Sequence, residues 1–355
     1  MGEGDRLSVL TLMVSDSRLT ADRRIIEEFI NNRRPAMRRD TFLKSMLAAA
    51  AASGLPLAAF AGASIKMMIP ANPGGGWDGT GRALGKALID SKAADTVQYD
   101  NKGGAAGVIG LAQFANASKG DENALMVMGA VMLGGIITTK PPIGLDKLTP
   151  IARLTSEYNV FVVPAESPLK TMKDVVEQFK KDPGSVKWGG GSKGSTEHIS
   201  ASMLAGKVGV DPKKVNYIAF RGGGEAVAAI LGNNVTVGGS GYSEFAEYIK
   251  AGKMRAIGVT SDKRLPGVNV PTMKEMGYDV VLGNWRGVYG APGITAAQRA
   301  ALTELVVKAT KSPTWIEALE LNKWTPALLT GKAFDEFVDN EFAGLRGTMH
   351  LAGML

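Results

Sequence analysis

From residue 64 onward the apolar positions of this 355-residue chain switch repeatedly between two spacings. Short β-rich runs give way to stretches in which apolar residues recur every three or four positions, the period of a helix with one buried face. Ile65–Ile69 predicts a strand and Gly79–Ile89 a helix, with Leu84 and Leu88 on one face. Thr96–Tyr99, a helix over about Val108–Ala117, and Ala124–Met128 continue the alternation. Such β-α-β-α-β order implies parallel strands joined by crossover helices. Pro150–Leu154 and Asn159–Val163 add two further strands.

The pattern then begins again. Helices over about 172–180, 196–207 and 225–232 are interleaved with strands at Val186–Trp188, Asn216–Phe220, Val235–Val237 and Arg255–Val259. Thr171 is placed to cap the first of these helices, with Asp174 at its third position. A final strand, about Trp285–Tyr289, precedes three helices that open near Thr295, at Ser312-Pro313 and at Gly331. The chain thus reads as two similar α/β units, the second inserted before the first is finished. Residues 64–160 and 284–355 form one lobe and 161–283 the other.

Four of the strand-to-helix junctions are rich in glycine: Asn72-Pro-Gly-Gly-Gly-Trp-Asp78, Asn101-Lys-Gly-Gly-Ala-Ala-Gly107, Gly189-Gly-Gly-Ser-Lys-Gly-Ser-Thr196 and Arg221-Gly-Gly-Gly-Glu225. The first N–H groups of a helix lack partners inside it, and the peptide dipoles add about half a positive charge there. A helix start approached through glycine is therefore suited to an anion. In open α/β sheets these junctions lie at the carboxyl ends of the strands, where ligands bind. Two such edges facing one another make a cleft.

Composition narrows the chemistry. The chain has no cysteine and two histidines, His198 and His350, which removes thiolate chemistry and any multi-histidine metal centre. A net charge of +7 is spread along the chain, which favours a small anionic partner over nucleic acid. Met37-Arg-Arg-Asp-Thr-Phe-Leu-Lys44 leads into the Ala/Leu-rich run Ser45–Ala61, the pattern of a cleaved export leader with small-residue sites near Ala61 or Ala63. Arg38-Arg39 leaves Sec-type and twin-arginine export open. Residues 1–36 precede the leader and read as an upstream over-extension or a disordered segment. The mature protein is expected in the periplasm.

Within the loops, Gly75, Gly76, Gly104, Ala105, Ala106 and Gly107 are candidates to offer backbone N–H groups. Asp78 could cap its helix, organise the loop or hold water, since a carboxylate aimed at an anion would repel it. Ser192, Ser195 and Thr196 could donate hydroxyls or cap the next helix. Lys193 and Arg221 could each reach a carboxylate or lie at the surface in solvent or an ion pair. Ser240 follows a strand and could face the cleft. His198 is expected to serve the hydrogen bonding of its loop. Tyr158, Tyr242 and Trp285 are expected to pack in the core.

These residues carry a resemblance. Pro73-Gly-Gly-Gly-Trp-Asp78, Asn101–Gly110, Trp188–His198, Arg221–Gly232, Lys253–Ser261 with Val270-Pro-Thr272, and Trp285-x-Gly287 together resemble the substrate-binding receptors of the tripartite tricarboxylate transporters, the Bug-like periplasmic receptors. The resemblance covers residues 65–330. Trp77 and Trp188-Gly-Gly-Gly-Ser192 look most like the citrate-type members. Ala106 stands where a glycine is usual, Lys193 brings a charge into the third loop, and Thr236 stands where many members carry Asp. The resemblance implies a type II periplasmic-binding fold with two α/β lobes. It also implies closure on a di- or tricarboxylate, citrate-like first, and delivery by a monomer to a large and a small membrane subunit. No cofactor is expected.

Two other readings compete. Gly79-Thr-Gly81-Arg-Ala-Leu-Gly85 fits a dinucleotide-type glycine pattern, so an exported α/β enzyme binding a phosphate or dinucleotide is one. No acidic residue ends the second strand before Asp100, and the only nearby Gly-Lys pair, Gly85-Lys86, lacks the Ser or Thr of a phosphate loop. The other is a carboxylate receptor serving a two-component sensor, which would share the fold and differ in its partner.

Overall fold

The computed structural model describes residues 63–355. The expected leader and the segment before it lie outside the described residues. The first lobe is built on three parallel strands in the order β2-β1-β3: β1 (Ser64–Ile69), β2 (Thr96–Asn101) and β3 (Ala124–Gly129). Helix α1 (Gly76–Asp90) joins β1 to β2, and α2 (Val108–Ala117) joins β2 to β3. Helix α1 begins three residues before the point the periodicity suggested. A further helix, α3 (Ala130–Thr139), follows β3 directly. It was not foreseen, because Ala-Val-Met-Leu-Gly-Gly-Ile-Ile is apolar all round and no turn residue separates it from the strand.

Strand β4 (Thr149–Pro164) runs through both lobes. Its first part pairs antiparallel with β9 (Gly283–Gly290), and its second part with β7 (Val237–Gly241) and β8 (Met254–Val259). The sequence suggested two strands here, because Thr155-Ser-Glu-Tyr158 is polar. The break does not form: Thr155 Oγ1 donates to the Thr325 carbonyl at 2.9 Å, and buried Glu157 is paired with Arg286. Polar groups with partners can stay inside a sheet.

The second lobe carries α4 (Met172–Lys181), β5 (Trp188–Gly190), α5 (Thr196–Lys207), β6 (Tyr217–Ala219), α6 (Gly223–Leu231), β7, α7 (Tyr242–Lys250) and β8. Strand β5 lies parallel between β6 and β7. Its core is organised around Trp188, which meets Phe161 and Phe179 edge-on at 5.5 Å each. Strand β7 sits later than expected, because Val-Gly-Gly-Ser-Gly has the composition of a turn and is held extended by β4 and β5. Thr171 and Asp174 form the expected capping box on α4.

The chain returns to the first lobe through β9, then α8 (Ala296–Thr310), α9 (Pro313–Asn322), β10 (Thr325–Thr330) and α10 (Gly331–Leu351). Strand β9 is therefore not the last one. Strand β10 pairs antiparallel with β4 across a bulge, and its Pro326 and half-exposed pattern hid it. The two passages between lobes are bonded to each other. Thr260 donates its N–H to the Asn159 carbonyl at 2.9 Å and accepts from Leu282 N–H at 3.0 Å. Its hydroxyl accepts from Asn159 N–H at 3.1 Å and donates to the Leu282 carbonyl at 2.9 Å. This mixed α/β arrangement leaves a cleft between the lobes.

Candidate ligand-binding site

Helices α4, α5, α8 and α9 are capped by the side chains of Thr171, Ser195, Thr295 and Ser312. Helices α1, α2, α3, α6 and α7 begin at Gly75, Gly107, Gly129, Gly222 and Gly241 with no side-chain cap, and α10 begins at Thr330 without one. Of these uncapped starts, those of α1, α2 and α6 border one cavity between the lobes. A side-chain cap occupies one of the orphan N–H groups of a helix, and a glycine leaves it to face whatever enters.

The lobes meet across this cleft. Asn72 Nδ2 donates to Glu225 Oε1 at 3.1 Å, and the backbones of Gly75 and Gly223 lie side by side. From the first lobe, Gly75, Gly76 and Trp77 line the cavity, as do Gly104, Ala106 and Gly107. From the second, Ser192, Arg221 and Ser240 line it. Trp77 is buried and supports the Gly107 turn from below. Arg221 is exposed at the rim. Ala106 has φ +55°, a left-handed conformation that explains why glycine suits this position.

Five other candidates are placed elsewhere. Asp78 lies within the first turn of α1, where its carboxylate accepts from Gly74 N–H, Arg82 and Asn101 at 3.0 Å each. Burial opposes its ionisation, yet these bonds hold it below the usual carboxylate range. It organises the loop and is not the cap. Ala105 and Lys193 are exposed and outside the cavity lining. Ser195 is buried and spent on capping α5, accepting from His198 N–H at 3.4 Å. Thr196 is buried against Asn159 Oδ1 at 3.3 Å, beside the interlobe passage. Thr236 also stands apart, accepting from Lys187 N–H at 3.0 Å.

Histidine 198 serves its loop as expected. Its Nδ1 accepts from Gly194 N–H at 3.1 Å, and the ring stacks on Tyr217 at 4.2 Å. Trp285 packs edge-on to Phe334 and Phe337 in the core. The glycines of the dinucleotide-type pattern, Gly79, Gly81 and Gly85, sit in the body of α1. Gly79 N–H bonds to the Gly75 carbonyl at 2.9 Å, so this pattern forms no phosphate-binding loop.

Sequence reasoning missed the cavity's charged wall. Arg286 on β9 is 2% exposed, pairs with Glu157 and lies 3.9 Å from Glu244 Oε1. Glu157 also accepts from Trp324 Nε1 at 3.0 Å and from Ser243 Oγ at 3.1 Å, drawing on both lobes. Glu197, Glu244, Asn284 and Arg286 all line the cavity. One signal was available. A charged residue inside Trp285-Arg-Gly-Val-Tyr289 is tolerated in a buried strand only with a partner.

Burial shifts the titration of this wall. It raises Glu197, and it pushes Glu244 up to about 7, with Arg286 opposing and Glu157 reinforcing the shift. Burial lowers His198 to about 4, with Lys193 adding to the effect. The Glu244 contribution to stability is complete below its ordinary 4.5 and is lost as pH rises to about 7, at most about 3 kcal/mol. His198 acts oppositely, contributing above 6.5 and losing that contribution as pH falls toward 4. The melting temperature should therefore vary little where the two windows overlap and fall on the alkaline side. Glu244→Gln should flatten the alkaline fall in thermal melts at pH 6 and pH 8. An unchanged pH difference would contradict this assignment.

Known proteins give the arrangement a place. Residues 82–347 match the model of the tripartite tricarboxylate transporter family receptor. Protein BugT of Bordetella pertussis is 27% identical over 294 residues, covering 81% of this chain and 89% of BugT. The structure of the periplasmic binding protein BugD aligns with a TM-score of 0.75 at 24% identity, over 82% of this chain and 98% of BugD. MatC from Rhodopseudomonas palustris, solved with bound malate, aligns with a TM-score of 0.71 at 20% identity, over 80% of this chain and 98% of MatC. With the family match spanning most of its length, this chain belongs to the tripartite tricarboxylate transporter family receptors, solute-binding proteins with the two-lobed periplasmic-binding fold.

Proposed function

We propose that the protein captures a dicarboxylate or tricarboxylate in the periplasm and presents it, as a monomer, to the large and small membrane subunits of a tripartite transporter. The observation that carries this reading is the convergence of three glycine-capped helix starts, with Arg221 at the rim, on one interlobe cavity. Each helix start contributes roughly 0.3–1 kcal/mol toward an anion, so several acting together, with hydroxyls such as Ser192, are needed to offset lost hydration. Bound water can bridge the carboxylates to amides out of direct reach. The family and the malate held by the similarly folded MatC support the same ligand class.

The cavity between the lobes measures about 90 Å³. Titration calorimetry against succinate, malate, aspartate, tricarballylate and citrate tests the reading. Saturable binding of at least one acid is expected. No heat of binding with any of them would refute it.

A further inference from the structure

Two acids stand where the cavity gathers its N–H donors. Glu244 lies in the first turn of α7, and its carboxyl is packed against Gly76 at the start of α1 and Gly223 at the start of α6. A Cβ at either glycine would collide with it. Glu244 thus reaches from the second lobe to the first, where it lies 3.9 Å from the Arg286 guanidinium with its side chain 13% exposed. Glu197, in the first turn of α5, borders the same cavity and is 5% exposed. Its Oε2 has no hydrogen-bond partner among the described residues. The groups facing Glu244 leave it short of counter-charge. Arg286 on β9 already pairs with Glu157 on β4, Glu197 adds a like charge, and Ser240 on β7 offers a hydroxyl. The nearest acids of α1 and α6 are spent elsewhere: Asp78 on Gly74 N–H and Arg82, Glu225 on Asn72 and Arg221 N–H.

An anion held by the starts of α1 and α6 therefore lies against Glu244. Two carboxylates that share one buried site do not both stay ionised, because like charges raise each other's proton affinity. One of them takes a proton and, as an acid, donates a hydrogen bond to the other. Glu197 Oε2 gains a partner in the same way once it carries a proton, and a buried polar atom without one is costly. We propose that Glu197 and Glu244 meet the captured anion as carboxylic acids, and that Glu244 takes its proton from solvent as the anion enters. The balance is simple: the ionised ligand and one proton are bound together, and no covalent bond in the ligand changes. Titration of the wall supports the assignment. Burial already pushes Glu244 up to about 7, against the opposing Arg286, and an entering anion acts in the same direction as Glu157. Near pH 8, Glu244 is then mostly ionised before capture and protonated after it, so capture weakens as pH rises.

This inference rests on the carboxylate-capture reading, and a proton count separates the two. The five acids named above all have ionised carboxyl groups at pH 8, so none brings a carboxyl proton of its own. Calorimetry on the full protein at pH 8 is run with each in phosphate and in Tris, buffers that release protons with different heats. The binding heat should differ between the two buffers by the equivalent of about one proton taken up per acid bound. Affinity should fall up to about tenfold from pH 7.5 to pH 8.5. In Glu244→Gln, whose amide keeps a donor in the same place, the heats should be equal in the two buffers and the affinity independent of pH. Thermal melts of that variant show whether it is folded. Saturable binding with equal heats in both buffers by the parent overturns the inference and leaves carboxylate capture intact. No binding of any of the five overturns both. Proton uptake that persists in Glu244→Gln overturns the assignment to Glu244.

Discussion

Gly134→Ala is expected to weaken carboxylate binding by tenfold or more while leaving the unliganded protein as stable as the parent or slightly more so. Gly134 lies within α3 of the first lobe, opposite Gly194 in the third glycine loop of the second. A Cβ at position 134 would overlap the Gly194 carbonyl oxygen. That carbonyl cannot easily yield, because Gly194 has φ +82° and its N–H is held by His198 Nδ1. The lobes would have to part to admit the methyl group. In a helix interior, alanine is otherwise favoured over glycine by about 0.5–1 kcal/mol, so the folded lobe itself gains. Gly344→Ala in α10 has nothing within contact distance of the added atom and provides the control. Calorimetry and thermal melts on the two variants check the prediction. Parent-like affinity in Gly134→Ala would show that binding does not require this contact.

The largest loss of stability should come from Arg286→Met. The guanidinium is held by Glu157, contacts Thr80 Oγ1 at 3.4 Å and lies 5.4 Å from the centre of the Trp324 ring. Replacing it leaves Glu157 as a buried carboxylate without a counter-charge, a change worth about 3–5 kcal/mol. The charge is the cause, so removing both partners should cost less than removing one. In Glu157→Gln/Arg286→Met the neutral amide oxygen can still accept from Trp324 Nε1 and Ser243 Oγ. Urea denaturation at fixed pH should show the double variant recovering at least half of the single variant's loss. Additive losses would mean that Arg286 acts through packing alone.

The two predictions draw on different kinds of information. The glycine loops behind the first were visible as local signals: a β-rich run, several glycines, and the return of helical periodicity. The capping residues Thr171, Thr295 and Ser312 were equally legible, because a cap acts within three residues of itself. Where such signals overlapped, reading failed. Helix α3 was hidden in an apolar run, β7 in a glycine run, and β10 behind a proline. The hydroxyls of Ser195 and Thr196 could be read as ligand donors or as structural groups, and packing decided for structure.

The sequence alone determined the alternation of elements and the glycine-rich helix starts, since each depends on residues a few positions apart. Tertiary structure decided what those starts face. Glu157 and Arg286 are 129 residues apart and meet through the pairing of β4 with β9, where Thr155 lies opposite Arg286 and Glu157 opposite Asn284. Glu197 and Glu244 reach the same cavity from two other elements. Local patterns report hydrogen bonds and periodicity along one segment. The charge of a cleft depends on strand register and lobe contact, which only the folded chain sets.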